Sequence, residues 1–545
     1  MKFFNKNILL FFLLSLFISC DSKNTTSFKD LRNAFVQWNQ KNHIDKNFDF
    51  THNYFKRYNI NLIEQYIEDL KRFDLELSQV NLNNLANDLK TDYVIINNKI
   101  SNYLFETQTY DLIKYEAIFF IENIFISIDF LINMDIELYS KTQLLDSHLK
   151  NVISFIRDYK EIVYFSDESH KPVFNKKIIA LISFIDEIPT NLNLVNNDYS
   201  QIQANISEII SSLNKMHYWL KYDYKFINLE DNYISNFDKY KFVIKNLFKN
   251  NEYDYESVVN FIETNIKTVQ RKLINESISI YKQSNDEPVW VDRSDTVNVV
   301  NWVKSNKLNN VTIPKENYLQ EFENAYKLID DKINRLNLNN YFELSPVFKE
   351  NIHHDIVDDF LYSNNKNGYN INIVNSIPSS NKYQFNDIVF KQIIPEYNIN
   401  NTFYKNPNSL RHLTNPINNK GFSLFLENIL VLNNYTKDSL YKINFYINLL
   451  EKYSIVLSQN DLFINDYSED KIIENVSINN FITIDESKNI LKNINKNEFY
   501  IGEVMVFLHL LNLYEDKCII NASMTLNDYI DSILSKGNIP FYLFN

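Results

Sequence analysis

Glycine is almost missing from this 545-residue chain, which has four, at positions 368, 421, 502 and 537. That scarcity excludes a Walker loop, a dinucleotide fingerprint and a G-x-S-x-G elbow, because each needs closely spaced glycines where the backbone turns sharply or approaches a ligand. Proline is scarce too, at ten residues, so each one is informative. Cysteine is limited to Cys20 and Cys518. No disulfide framework can be built from them, and a chain of this length buries an ample core without one. Base is in deficit: 55 Lys and Arg stand against 68 Asp and Glu, a formal charge of -13 with the acid spread along the chain. Phosphate binding needs a basic face, so nucleic acid is excluded as an expected partner. Asn, Lys, Ile, Tyr and Phe are heavily used, as an AT-rich genome dictates, so the 36 Tyr and 41 Phe say little about aromatic binding platforms.

The one long apolar run is N-terminal. In "MKFFNKNILLFFLLSLFISC" Lys2 and Lys6 precede Ile8 to Phe17, and Ser19 stands just before Cys20. The run is far short of the roughly 20 residues that cross a bilayer, so it reads as a secretory signal. A small residue followed by cysteine at the end of such a run resembles the bacterial lipoprotein cleavage site, with Phe17 where Leu is usual. The resemblance implies that residues 1–19 are removed and that Cys20 is acylated, with 20–27 a tether. The expected protein is anchored to a bacterial envelope membrane, on its periplasmic or surface face, without spanning it. Loss of Lys2 and Lys6 takes the charge from -13 to -15.

Beyond the tether the spacing is helical. Ile63, Ile67, Leu70, Phe73 and Leu77 form one apolar stripe, with Glu64, Glu68 and Lys71 opposite. Similar stripes recur at about 111–160, 176–187, 200–222 and 256–282, with no fixed-period repeat. Residues 283–315 contain Trp290, Trp302 and several valines without a helical stripe, and read as a crossover between lobes at 28–282 and 316–545. "GYNINIV", 368–374, alternates as a strand. After Lys420 the pattern is helical again. Thr525, with Asp528 three residues on, caps a last helix whose stripe is Leu526, Tyr529, Ile530 and Ile533, and Gly537 and Pro540 follow it. The expected fold is mainly α: a large two-lobed multi-helix globule with a small β element near 368–374.

Four landmarks stand in order: the strand "GYNINIV", then "KQIIPEY" (391–397), "KGFSLFLE" (420–427) and the ending "LSKGNIPFYLF". They resemble the catalytic half of the bacterial domain-of-unknown-function family 885, whose members are often lipoproteins and look like zinc metallopeptidases. That family has a tyrosine-led strand, then H-E-x-x-P-G-H on a helix, E-G-W-A-x-Y-x-E opening another, and a final G-x-x-P-L. Pro395, Gly421, Glu427, Gly537 and Pro540 match as framework. "KRFDLELSQVNLNNLANDLK" and "FIDEIPTNLNL", with Pro189, are similar to its N-terminal helices.

The resemblance implies a peptidase-like scaffold and zinc, but the residues for the chemistry are changed. Lys391 stands at the first His, Gln392 at the Glu, Tyr397 at the second His and Lys420 at the later Glu. An ammonium has no lone pair for zinc, and at about 4 Å, with an effective dielectric near 20, it repels a dication by roughly 8 kcal/mol. Gln392 cannot take a proton from water near neutral pH. Neither a catalytic residue nor a metal or other cofactor is therefore expected, and Lys391 and Lys420 either face solvent or pair with Glu396 and Glu427. The expected protein is a non-catalytic binding protein for a peptide or another envelope component. One alternative is a hydrolase using His353, His354 and Asp358 in "NIHHDIVDDF". Another is a helical glycan-capture lipoprotein, for which Trp290 and Trp302 would be exposed and coplanar. His412 in a loop and His509 in an apolar helix fit structural roles better than ligation. Expression in a bacterium with labelled palmitate is expected to label the natural chain and not Cys20→Ala. Equal labelling of both would refute acylation at Cys20.

Overall fold

The computed structural model describes residues 28–42, 60–109, 117–134, 136–159, 170–192, 194, 199–222, 241, 255–284, 293–310, 313–314, 317–335, 347–350, 361–365, 368–373, 382–389, 410, 416–432, 438–492 and 500–536. The chain is mainly α, and it forms two compact units, Met1–Tyr233 with Lys349–Val374, and Ile234–Phe348 with Asn375–Asn545.

In the first unit, α1 (28–42) meets α2 (Ile60–Ser78) and α3 (Asn87–Thr109). Leu70, Phe73 and Leu77 of the expected stripe are buried, and Phe35 meets Phe73 edge-on at 5.5 Å. Arg32 Nε donates to Asp92 at 2.6 Å. The main core follows. Helix α4 (Ala117–Asn133), "AIFFIENIFISIDFLIN", is apolar around most of its circumference, as a fully surrounded helix must be. The stripes of α5 (Leu138–Tyr159), α6 (His170–Asn191) and α7 (Ser200–Tyr222) build one cluster with it, in which Phe125 meets Phe184 at 4.7 Å. Pro189 falls within the last turns of α6.

A three-stranded sheet has the order β1 (Val347–Glu350), β3 (Gly368–Ile373), β2 (Leu361–Asn365). β2 and β3 are antiparallel, with Tyr362 opposite Ile371 and Asn364 opposite Tyr369. The alternation of 368–374 marks the central strand correctly. Its two neighbours, "VFKE" and "LYSNN", lack that alternation and are not recognisable in isolation.

The second unit contains α8 (Tyr255–Tyr281), α9 (Arg293–Val303), α10 (Tyr318–Arg335), α11 (Lys382–Ile388), α12 (Pro416–Leu432) and α13 (Ser439–Phe463). It ends with α14 (Glu469–Asn480), α15 (Ile484–Lys492), α16 (Tyr500–Tyr514) and α17 (Leu526–Leu534). α13 packs along α8 and α14, and α12 packs along α16. Two expectations are corrected here. The 283–315 segment holds helix α9, continued by a π-helical turn at Lys304–Leu308, because burial of Val299, Val300 and Val303 outweighs the weak helix preference of valine. The compact units also divide elsewhere than at that segment: α8 and α9 belong to the second unit, and 349–374 to the first. α17 agrees with its reading. Thr525 and Asp528 form a reciprocal capping box, and Tyr529, Ile530 and Ile533 are buried.

Scarce glycine leaves its mark on the backbone. Asp466, Phe481 and Ala522 adopt left-handed φ values of 53°, 56° and 47°, a conformation that costs a side-chain-bearing residue roughly 1–2 kcal/mol. Where glycine does occur inside a helix, it marks a close approach. A Cβ on Gly421 would lie 2.5 Å from Val506 Cβ and 2.8 Å from the Glu503 carbonyl oxygen, so α12 and α16 cross there nearly backbone to backbone. Gly421→Ala is expected to lower unfolding free energy by about 1–3 kcal/mol in urea denaturation, the usual cost of overpacking a tight contact. An unchanged midpoint would contradict the close crossing.

Candidate functional site

α16 reads "YIGEVMVFLHLLNLY", and all residues from Ile501 to Leu510 are buried, so the helix has no solvent face over this stretch. One carboxylate, Glu503, lies within it, with 2% side-chain exposure. A buried carboxylate must be matched by charge and hydrogen bonds. Glu503 is matched from two helices. Lys452, at 10% exposure on α13, binds it directly through Nζ and Oε2, and Lys420, at 43% exposure on α12, places Nζ 3.7 Å from Oε1. Gly421 makes the second contact possible: by letting α12 approach the backbone of Glu503, it brings the neighbouring Lys420 to the carboxylate. The Lys452 ammonium also lies 3.8 Å from the centroid of the Tyr500 ring, an orientation that adds cation–π attraction.

These groups line a cavity of about 290 Å³, together with Asn448 and Glu451 of α13, Asp387 of α11 and Leu424 of α12. A polar layer continues behind it. Tyr441 donates to Glu427 Oε1 at 3.0 Å in a buried bond. Burial first, then the Glu427 charge and hydrogen bond, and then the Asp387 charge hold the Tyr441 phenol well above its ordinary pKa. Tyr383 donates to Asp438 Oδ2 at 3.1 Å, and Asp438 Oδ1 caps α13 by accepting from the Leu440 and Tyr441 amides. Lys304, which begins the π-helical turn, has its pKa lowered by burial, and the nearby Glu486 and Glu451 charges oppose that shift.

Of the positions singled out from sequence, Lys420, Gly421 and Glu427 lie on α12 among the described residues. Lys420 reaches the cavity, whereas Glu427 faces Tyr441. Of the two expectations for Lys420, solvent or Glu427, the side chain is 43% exposed and its carboxylate partner is Glu503 in place of Glu427, because the close crossing at Gly421 puts α16 within its reach. Cys20, Lys391, Gln392, Pro395, Glu396, Tyr397, Gly537 and Pro540 lie outside the described residues, as do Trp290, His353, His354, Asp358 and His412. His509 is buried in α16. Burial, with Lys517 and Lys536 adding to it, lowers its pKa to about 4, so the imidazole is neutral at pH 7. Trp302 is half-buried, with Tyr281 edge-on at 5.1 Å and Lys307 Nζ 5.6 Å from the ring. Among the described residues no group of three His, Cys, Asp or Glu is arranged to hold a metal.

Sequence reasoning missed Glu503, Lys452, Tyr500 and Asp387. The signal was present: a single Glu in "YIGEVMVFLHLL" and a single interior Lys in "NLLEKYSIVLS" stand in helices without a polar face, where a charge must find a partner inside the protein.

Two solved structures are similar to the chain over almost its whole length. One, described as a candidate lipoprotein of unknown function from Shewanella oneidensis, has a TM-score of 0.62 at 12% identity, covering 89% of this chain and 92% of that one. Another, described as a candidate lipoprotein from Colwellia psychrerythraea, has a TM-score of 0.63 at 10% identity, covering 96% and 97%. These likenesses establish a shared fold. No protein-family model matches the chain, so the likeness to family 885 rests on its motifs, and no curated protein matches it.

Removing one partner of a buried ion pair costs about 3–5 kcal/mol, whereas replacing both with apolar groups is often neutral. Lys452→Met and Glu503→Leu are each expected to destabilise the protein by that amount in urea, and the double variant by much less than the sum. Additive losses would show that the two side chains are not coupled.

Proposed function

We propose that this is a lipid-anchored bacterial envelope protein built on a family 885 scaffold, whose cleft binds a ligand without cutting it. The anchor reading is supported by the cysteine at the end of the signal-like run, and by the description of both fold neighbours as candidate lipoproteins. The motif order from "GYNINIV" to "GNIP" supports the scaffold. Partners are then the membrane, through Cys20, and a peptide or another envelope component at the cavity.

One observation carries the non-catalytic reading. Lys420, at the position of the family's later Glu, points its ammonium at Glu503 inside a cavity that holds a second ammonium, Lys452. This donor set does not suit zinc. The carboxylate most deeply placed in the cavity is already neutralised, and both groups beside it repel a dication. A ligand that needs only matched charges would be held there. Glycan capture is weakened by Trp302, whose ring is half-buried with Tyr281 edge-on against it.

The purified full-length protein is expected to carry far less than one equivalent of zinc by elemental analysis, and to leave a mixed peptide library uncut. Stoichiometric zinc together with peptide cleavage would overturn the pseudoenzyme reading.

A further inference from the structure

We propose that the cavity is a receptor for a small zwitterion of the free amino acid class, an inference that rests on reading the cleft as a binding site. Two ammoniums face Glu503, and they are not equivalent. Lys452 is nearly buried, in direct contact with Oε2 and seated on the Tyr500 ring, so it neutralises Glu503 and is fixed in place. Lys420 is 43% exposed and stands 3.7 Å from Oε1, beyond hydrogen-bond length. It is therefore the less deeply held of the two cations. An incoming carboxylate could take Lys420 in a short charge-assisted bond while Glu503 keeps Lys452, so binding strands no buried charge.

The rest of the wall selects what else the ligand carries. Asn448 brings an amide to the lining, and Asp387 and Glu451 bring carboxylates. Among the described lining residues, carboxylates and ammoniums are both present. A molecule bearing one charge of each sign complements them. The volume, about 290 Å³, lies at the small end of ligand sites, which run from roughly 300 to 1,000 Å³. Leu424 is the apolar surface available to a side chain. The volume suits a single amino acid, which narrows the ligand class given above from a peptide to one residue.

Calorimetric titration of the full-length protein with each standard amino acid is expected to reveal binding by at least one. Its carboxamide and its N-acetyl form, which lack one charge each, should bind at least about tenfold more weakly. Lys420→Gln is expected to weaken the amino acid by a similar factor and to leave the carboxamide unchanged. Lys452 stays on Glu503 in this variant, so its urea midpoint is expected to fall far less than that of Lys452→Met. Absence of binding by every amino acid to a zinc-free protein, or equal binding of the charged and blocked forms, would overturn this inference alone. Stoichiometric zinc with peptide cleavage would instead overturn the reading beneath it.

Discussion

A carboxylate buried in an apolar helix is unstable unless its charge is met, and in this protein that constraint falls on Glu503. Its carboxylate draws Lys452 from α13 and Lys420 from α12 to α16, so three helices of the second unit converge on one point. Burial costs the carboxylate its hydration, a penalty of several kcal/mol, and the ion pairs offset it only because the helices come close enough. The approach depends in turn on Gly421. Any side chain at that position would push α12 off the Glu503 backbone and carry Lys420 away with it.

The arrangement also accounts for the absence of polar faces on these helices. α13 buries residues on every side, including Lys452, Gln459 and Asn460, and α16 buries ten in succession. Neither has an amphipathic reason to sit where it does. Position comes instead from specific pairs: Glu503 with its two lysines, Glu427 with Tyr441, and Asp438 with Tyr383. Such pairs act as registration marks in a core that would otherwise allow apolar helices to slide. The cavity opens beside the most highly charged of them.

Much of the fold was legible in the sequence, and for identifiable reasons. Amphipathic stripes such as Leu70, Phe73 and Leu77 have the period of a helix, and the capping box at Thr525 is a local signal that needs no tertiary context. α9 was missed because its valines and tryptophan give little helical pattern, and only burial against neighbours makes it a helix. The strands at 347–350 and 361–365 were missed because they are completed by pairing and not by composition. At the site, Lys420 and Gly421 stood out through motif likeness, but their partner did not. Glu503 is separated from Lys420 by a long stretch of sequence, and only a three-dimensional crossing joins them.

On the scaffold proposed above, the lysine-bound Glu503 carboxylate stands where the metal centre of family 885 would be. The most direct test is a zinc titration of the folded variant Lys391→His, Gln392→Glu, Tyr397→His, Lys420→Glu, which supplies the family's ligand and base residues at the four changed positions. Uptake of about one zinc per chain is expected, as for three protein ligands with an open fourth position. A folded variant that takes up no zinc would contradict the proposed likeness of those four positions to the metal site of family 885.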